Sequence, residues 1–291
     1  MAIAGAAALW AAAATLARSL FDAGVDPLHL AASRSVVTFA GLLAVPAARA
    51  RPPATTRRKD LGLLATLGLS IAAVNAVYYV SIQRLSVAVA IVIQYTAPAM
   101  VVAWTALTTR TRPSGAILGS LAAAVLGVAL VSELFSGELG RLDLFGLAMA
   151  GMSAVLFATY TLLSQEAGAS YGALPALLRA FSIAAAAWVI VLAPAGPPRD
   201  LLVLERAPAI VFIGLGGTLA PFFLYLWGVG HVRAERASIA ASLEPVLAAL
   251  FAWALLGQSL SARQLAGGAL VVAAVAALQV KRHRVVLAPE P

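Results

Sequence analysis

Apolar stretches of about twenty residues, set apart by short polar breaks, recur along the whole chain. A membrane-crossing helix needs roughly 20 mostly apolar residues. Ten segments qualify: about 2–21, 28–47, 61–83, 86–108, 114–132, 143–163, 172–193, 207–229, 236–256 and 262–280. Residue types that end helices fill the breaks: Asp22, Asp26 and Pro27; Arg51, Pro52 and Pro53; Arg112 and Pro113; Gly137 and Gly140; Pro197 and Pro198. The shortest breaks fall at Arg84 and between His231 and Arg236. The longest polar loop, about 48–60, is too short to fold alone. The pattern predicts an all-α membrane protein of ten transmembrane helices with no soluble domain.

The pattern also repeats. At a shift of 147 residues Trp10 answers to Phe157, Tyr78 to Tyr225 and Pro98 to Pro245, with 20 residues from Tyr to Pro in both halves. Five crossings per half is an odd number, so the second half starts on the opposite side of the membrane. The expectation is two inverted five-helix repeats, residues 1–136 and 137–291, around a central cavity, an arrangement used by carriers that expose one site alternately to two sides. The first apolar run lacks the basic start of a signal peptide, and Trp10 places it inside the repeat, so it is read as a retained helix.

Composition agrees. Hydrophobic residues make up 62% of the chain and charged ones 11%, against about 25% charged in a soluble domain. There is no Cys, which excludes disulfides, thiol chemistry and Cys-ligated metals. A net charge of +8 and a pI near 10.6 would suggest nucleic acid in a soluble protein. Here no basic stripe is interleaved with aromatics, and no nucleic-acid partner is expected. Of the 20 Lys and Arg residues, twelve lie in loops on the side that holds both termini, six on the other side, and two, Arg34 and Arg179, within helices. The positive-inside rule makes the first side cytoplasmic. The expectation is a multi-pass membrane protein with both termini inside.

No catalytic constellation is visible. His29, His231 and His283 are not at metal-ligand spacing, and no helix carries paired carboxylates. Neither an enzyme, a metal nor a cofactor is expected. The Gly214, Gly216 and Gly217 run follows no strand, so it is read as packing or a kink rather than a nucleotide loop.

What remains is a set of polar and aromatic residues inside the helices. Asn75, Tyr78, Tyr79 and Ile82 share one helical face. Gln94 and Tyr95 stand a turn before Pro98. Ser153, Phe157, Tyr160, Thr161 and Ser164 form one stripe; Thr218, Phe222 and Tyr225 another; Ser238, Ser242 and Glu244 a third; Trp10 lies mid-helix. Polar side chains in hydrocarbon are costly unless they face protein or a wet cavity, so these should meet near the midplane. The same residue types also form interfacial belts or bonds between helices, the reading given to Trp104, Trp188, Trp227 and Trp253. Pro98 and Pro245 should free the carbonyls of Gln94 and Ala241 and kink their helices. Glu244 is the one acid deep in a helix, at an insertion cost of about 2.5–3.5 kcal/mol. It is a proton site, a contact for a substrate ammonium, or a structural partner, with Arg179 as a candidate counter-ion. Arg34 and Arg179, which match at a shift of 145 residues, are read as snorkelling or bonding a neighbouring helix.

The run Ser242-Leu243-Glu244-Pro245-Val246-Leu247-Ala248-Ala249-Leu250-Phe251-Ala252-Trp253 resembles a stretch of the EamA-type drug/metabolite transporter superfamily. Tyr95-Thr96-Ala97-Pro98 resembles its first-half partner, Arg34 sits where that family has an Arg in helix 2, and Gly267-Gly268 fits the Gly of its last helix. Leu256-Gly257-Gln258 departs from the Gly-Glu often found there. Within the superfamily the chain looks most like the YddG-type exporters of aromatic and neutral amino acids. The resemblance implies a ten-helix inner-membrane carrier that works by alternating access. No ATP-binding motif is present, so the carrier is expected to be facilitative or driven by an ion gradient.

The expected substrate-binding residues are Trp10, Asn75, Tyr78, Tyr79, Gln94, Tyr95, Phe157, Tyr160, Tyr225, Ser242 and Glu244, with Pro98 and Pro245 as hinges. The expected partners are a small amino acid or similar metabolite and the lipid bilayer, with the protein a monomer. Two other readings stand beside this one: a proton-coupled multidrug carrier that uses Glu244, and a membrane structural or assembly protein without a substrate.

Overall fold

Polar breaks become helix caps. In the computed structural model, which describes residues 1–49, 59–85, 87–134, 143–196, 198–201, 203–257 and 259–286, α1 (Ala2–Asp22) is followed by α2 (Pro27–Ala44). The Asp26 carboxylate caps α2, accepting from the N–H groups of Leu28 and His29 at 2.7 and 3.2 Å. Pro27 opens the helix, where its missing N–H costs nothing. Next come α3 (Lys59–Arg84), α4 (Val87–Gln94), α5 (Ala97–Thr109) and α6 (Gly115–Val131), the last capped by Ser114. The second half holds α7 (Leu144–Tyr171), α8 (Ala173–Leu192), α9 (Ala207–Gly214), a π-helical turn (Leu215–Leu219), α10 (Ala220–Val229), α11 (Ala234–Ala241), α12 (Leu243–Leu256) and α13 (Ala262–Val286). Among the described residues there is no strand. The basic loop around Arg57 and the expected boundary at 136/137 lie outside them.

Asp143 caps α7, accepting from Phe145 and Gly146 N–H groups at 2.8 and 3.0 Å, and pairs with Arg84 at 3.3 Å. The Gly146 N–H first, then the Arg84 guanidinium, hold its carboxyl below the usual carboxylate range. A depressed native pKa stabilises the fold fully above the unfolded-state value, and that contribution is lost as pH falls through the native one. Asp143→Asn keeps the cap but removes the charge. Thermal midpoints measured across the acid range are therefore expected to fall less steeply in the variant; parallel curves would contradict this.

Three of the segments expected as single helices are interrupted: α4 from α5, α9 from α10 by the π turn, and α11 from α12. A proline follows each break: Pro98, Pro221 and Pro245. Each removes a donor, and its ring crowds the carbonyl four residues back, here that of Gln94, Gly217 and Ala241.

Eight runs are long and apolar enough to cross a membrane by length and composition, and Gly115–Val131 and Ala262–Leu278 are shorter apolar helices. The outward faces are apolar too: Leu107, Leu144 and Ile190 are each more than 70% exposed. Apolar faces of this kind suit lipid and not water. Inside, α1 packs on α10 and α12, α3 on α7 and α8, α2 on α8 and α9, and α6 on α13. The last pair meets through glycine. A Cβ on Gly267 would stand 2.6 Å from the Gly127 carbonyl oxygen, and one on Gly127 would stand 2.8 Å from that of Gly267. Small residues permit such backbone approach between apolar helices. Gly267→Val is expected to cost about 1–3 kcal/mol or more through overpacking. The check is a lowered thermal midpoint of the detergent-purified protein.

At one end of the bundle the α1–α2 turn is tied to the segment before α9. His29 Nδ1 lies 2.6 Å from Asp200 Oδ1, and the Asp26 N–H donates to Asp200 Oδ2 at 2.9 Å. Arg206 donates to the carbonyls of Asp200 and Ala23 at 2.6 and 2.7 Å.

Candidate functional site

A cavity of about 560 Å3 occupies the half of the bundle that holds the α1–α2 and α3–α4 turns. Its walls come from α1 between Trp10 and Phe21, α3 between Val74 and Ile82, the end of α4, and α12 between Glu244 and Ala252. Arg34 of α2, Ile213 of α9, Phe157 and Tyr160 of α7 and Phe222 of α10 complete it. The size falls within the roughly 300–1,000 Å3 usual for small-molecule sites.

Nine of the eleven expected residues line this space: Trp10, Asn75, Tyr78, Tyr79, Gln94, Tyr95, Phe157, Tyr160 and Glu244. The other two stand off the wall. Tyr225 is fully buried, its hydroxyl 2.9 Å from Thr161 Oγ1 and its ring stacked on Tyr160 at 5.5 Å. With Trp10, Phe157 and Phe222 it forms an aromatic layer that floors the cavity. Ser242 is buried at the junction of α11 and α12, where its small side chain fits the break.

One half of the polar site is built on the broken helices. The Tyr95 hydroxyl, at the end of α4, donates to Glu244 Oε2 at 2.7 Å and lies 3.3 Å from the Ala241 carbonyl. That carbonyl is the one Pro245 cannot serve. The break in one helix thus holds a residue that reaches the acid and the backbone at the break in the other. Glu244 finds its partner in Tyr95 rather than in the expected Arg179, which bonds the Pro175 carbonyl and lies over the Tyr171 ring.

The other half is built around Arg34. It does not snorkel but bonds neighbouring helices, as the second reading has it, and it is buried and lines the cavity. Its Nε donates to Thr218 Oγ1 at 2.8 Å, and Nη1 to Asn75 Oδ1 and the Tyr79 hydroxyl at 3.0 and 3.1 Å. Nη2 donates to the Gly217 carbonyl at 3.2 Å. Gly217 is the residue whose carbonyl Pro221 leaves unserved, and Thr218 turns its own hydroxyl to the Ile213 carbonyl at 2.6 Å. The π turn therefore presents two acceptors to one guanidinium. π turns inside α-helices mark functional sites with notable frequency. The signal was present in the sequence: an Arg within an apolar helix points to function by default.

Between these groups the walls are mostly aromatic. The Tyr78 hydroxyl and the Gln94 amide line the cavity without a hydrogen-bond partner among the described residues. No group of three or more potential metal ligands occurs among the described residues. The arrangement can bind a small molecule through opposite charges, unspent polar groups and aromatic rings.

Comparison with known proteins finds membrane transporters. The model of the EamA-like transporter family matches residues 1–133 and 144–279. The threonine/homoserine exporter RhtA of Salmonella typhimurium strain LT2 is 29% identical over 215 residues, covering 71% of this chain and 67% of the relative. The uncharacterized inner membrane transporter YicL of the same strain is 28% identical over 233 residues, 78% of this chain and 76% of the relative. An uncharacterized transporter of Archaeoglobus fulgidus is 29% identical over 239 residues, 81% and 82%. A solved crystal structure superimposes with a TM-score of 0.78 at 18% identity, covering 97% of both chains, a likeness of fold. The chain belongs to the EamA-like transporter family; it is a multi-pass membrane transporter and not an enzyme.

Proposed function

We propose that this member of the EamA-like family exports neutral amino acids, aromatic ones included, or closely related metabolites across a bacterial-type inner membrane by alternating access. The observation that carries this reading is the cavity itself: aromatic walls, one guanidinium and one carboxylate, set where broken helices meet. The amino-acid class is favoured by the relative described as a threonine/homoserine exporter.

Ten crossings in two inverted repeats give the machine. The family model matches in two stretches. α4 ends at Gln94 and α11 at Ala241, 147 residues apart. Helix contacts come in exchanged pairs: α3 with α7 answers α10 with α1, α4 with α7 answers α11 with α1, and α5 with α7 answers α12 with α1. The basic loops put both termini in the cytoplasm, so the cavity occupies the outward half. Hinging at Pro98 and Pro245 would close it and open the inward half. The protein would act as a monomer, facilitative or driven by an ion gradient.

The test is purified protein in liposomes loaded with labelled amino acids. Efflux above that of empty liposomes is expected for neutral amino acids; none for any amino acid or related metabolite would remove the claim.

A second reading, proton-coupled multidrug efflux, is favoured by the placement of Glu244, a carboxylate inside the cavity with one oxygen bonded by Tyr95. On that reading Glu244→Gln abolishes drug-driven proton movement, and unchanged coupling rules it out.

A further inference from the structure

A zwitterion has two ends, and the cavity offers a separate charged group for each. Arg34 is held by four hydrogen bonds to Thr218, Asn75, Tyr79 and the Gly217 carbonyl. A guanidinium has five N–H groups, so these bonds fix its plane and leave one N–H for a ligand. Asn75 also lines the cavity; its Oδ1 is spent on Arg34 while its amide nitrogen makes only a 3.4 Å contact to the Ile71 carbonyl. Glu244 is held by one oxygen, Oε2, which accepts from Tyr95; Oε1 has no hydrogen-bond partner among the described residues. One charge is positioned by the first half of the chain and the π turn, the other by the two helix breaks.

We infer that Arg34, with Asn75 beside it, receives the α-carboxylate of a neutral amino acid, and that Glu244, steadied by Tyr95, receives its α-ammonium. The side chain then lies against Trp10, Phe157 and Phe222. This inference rests on the amino-acid reading of the site and assigns the two ends of its substrate. A buried guanidinium with one free N–H favours a carboxylate oxygen through a charge-assisted hydrogen bond, and the Asn75 amide beside it can serve the second oxygen. A buried carboxylate with one open oxygen favours an ammonium. Neutral side chains fit because both charges of the cavity are then spent on the backbone of the substrate. The arrangement also sets what is refused: blocking either end of the substrate strands a buried charge, which costs more than the lost bond alone.

The experiment first compares ligands on the unmodified protein, where folding is not at issue. Binding of leucine, phenylalanine and threonine to the purified protein in nanodiscs is measured by calorimetry, beside their amides, which lack the carboxylate, and their N-acetyl derivatives, which lack the ammonium. Each blocked form is expected to bind about tenfold more weakly or worse. In Glu244→Gln the free amino acids should weaken by a similar factor while the N-acetyl forms stay within about twofold. A structural role for Glu244 would instead weaken both sets alike. Amides that bind as tightly as the free acids overturn the Arg34 assignment; N-acetyl forms that do so overturn the Glu244 assignment. In both cases amino acids still bind and the wider reading stands. Folded protein that binds no amino acid at all overturns the two together.

Discussion

Arg34→Leu is expected to lower stability by about 2–6 kcal/mol and to abolish transport. Four acceptors lose their donor: Thr218 Oγ1, Asn75 Oδ1, the Tyr79 hydroxyl and the Gly217 carbonyl. Asn75 and Tyr79 line the cavity, so water can replace the guanidinium there. Gly217 and Thr218 are buried in the π turn, and a Cβ at Gly217 would already stand 2.4 Å from that of Ala13. Water has no room on that side. Each stranded buried acceptor costs about 1–3 kcal/mol, and two of them set the range. Arg34→Lys keeps the charge but brings a point donor in place of a planar fork. It should therefore recover part of the stability and little of the transport. Thermal midpoints and liposome flux measured on the same preparations check both statements. A leucine variant with the midpoint of the wild type would show that the π turn does not depend on Arg34.

The sequence marks Arg34 as an ionisable residue in an apolar helix, but the groups it gathers lie far away along the chain. Periodicity and composition mark the apolar segments, and the proline rule locates the breaks, because both depend on residues close along the chain. The freed carbonyl of Ala241 was foreseen on that basis, and so was the kink near Pro98. The side chain that approaches that carbonyl was not. Tyr95 reaches it from 146 residues away, and no local rule connects them. Arg34 is half legible. Its position two turns into a helix allows snorkelling or a bond to a neighbouring helix, and the second holds, but the helices it joins are not named by the sequence. What decides its role is a π turn near residue 217, formed where Gly216, Gly217 and Pro221 weaken the α-helical ladder. Glycine pairs such as Gly127 and Gly267 fall between the two cases: small residues announce close packing, but only the fold says which helices meet.

The largest accessibility effect is expected on the closed side of the bundle. A shift of 147 residues maps the cavity residue Ala14 onto Thr161, Ala17 onto Ser164 and Ile91 onto Ser238. Those three counterparts are buried. Buried hydroxyls in a packed core are costly unless paired, and lining a wet cavity would satisfy them. On the alternating-access reading Thr161, Ser164 and Ser238 are the stored wall of the inward-facing site. The chain has no Cys, so a single introduced thiol reports its own surroundings. Ala14→Cys is expected to react with a membrane-impermeant maleimide from the outer face, and Ser164→Cys only from the cytoplasmic face, in inside-out vesicles. A minor conformer populated at about 0.1–10% makes the second reaction slower by about 10- to 1000-fold. Addition of a transported amino acid to cycling protein should change the two rates in opposite directions. If Ser164→Cys stays unreactive from both faces while the same variant still transports, the inward cavity does not run along α7, and the two halves do not exchange roles in the way their shared spacing implies.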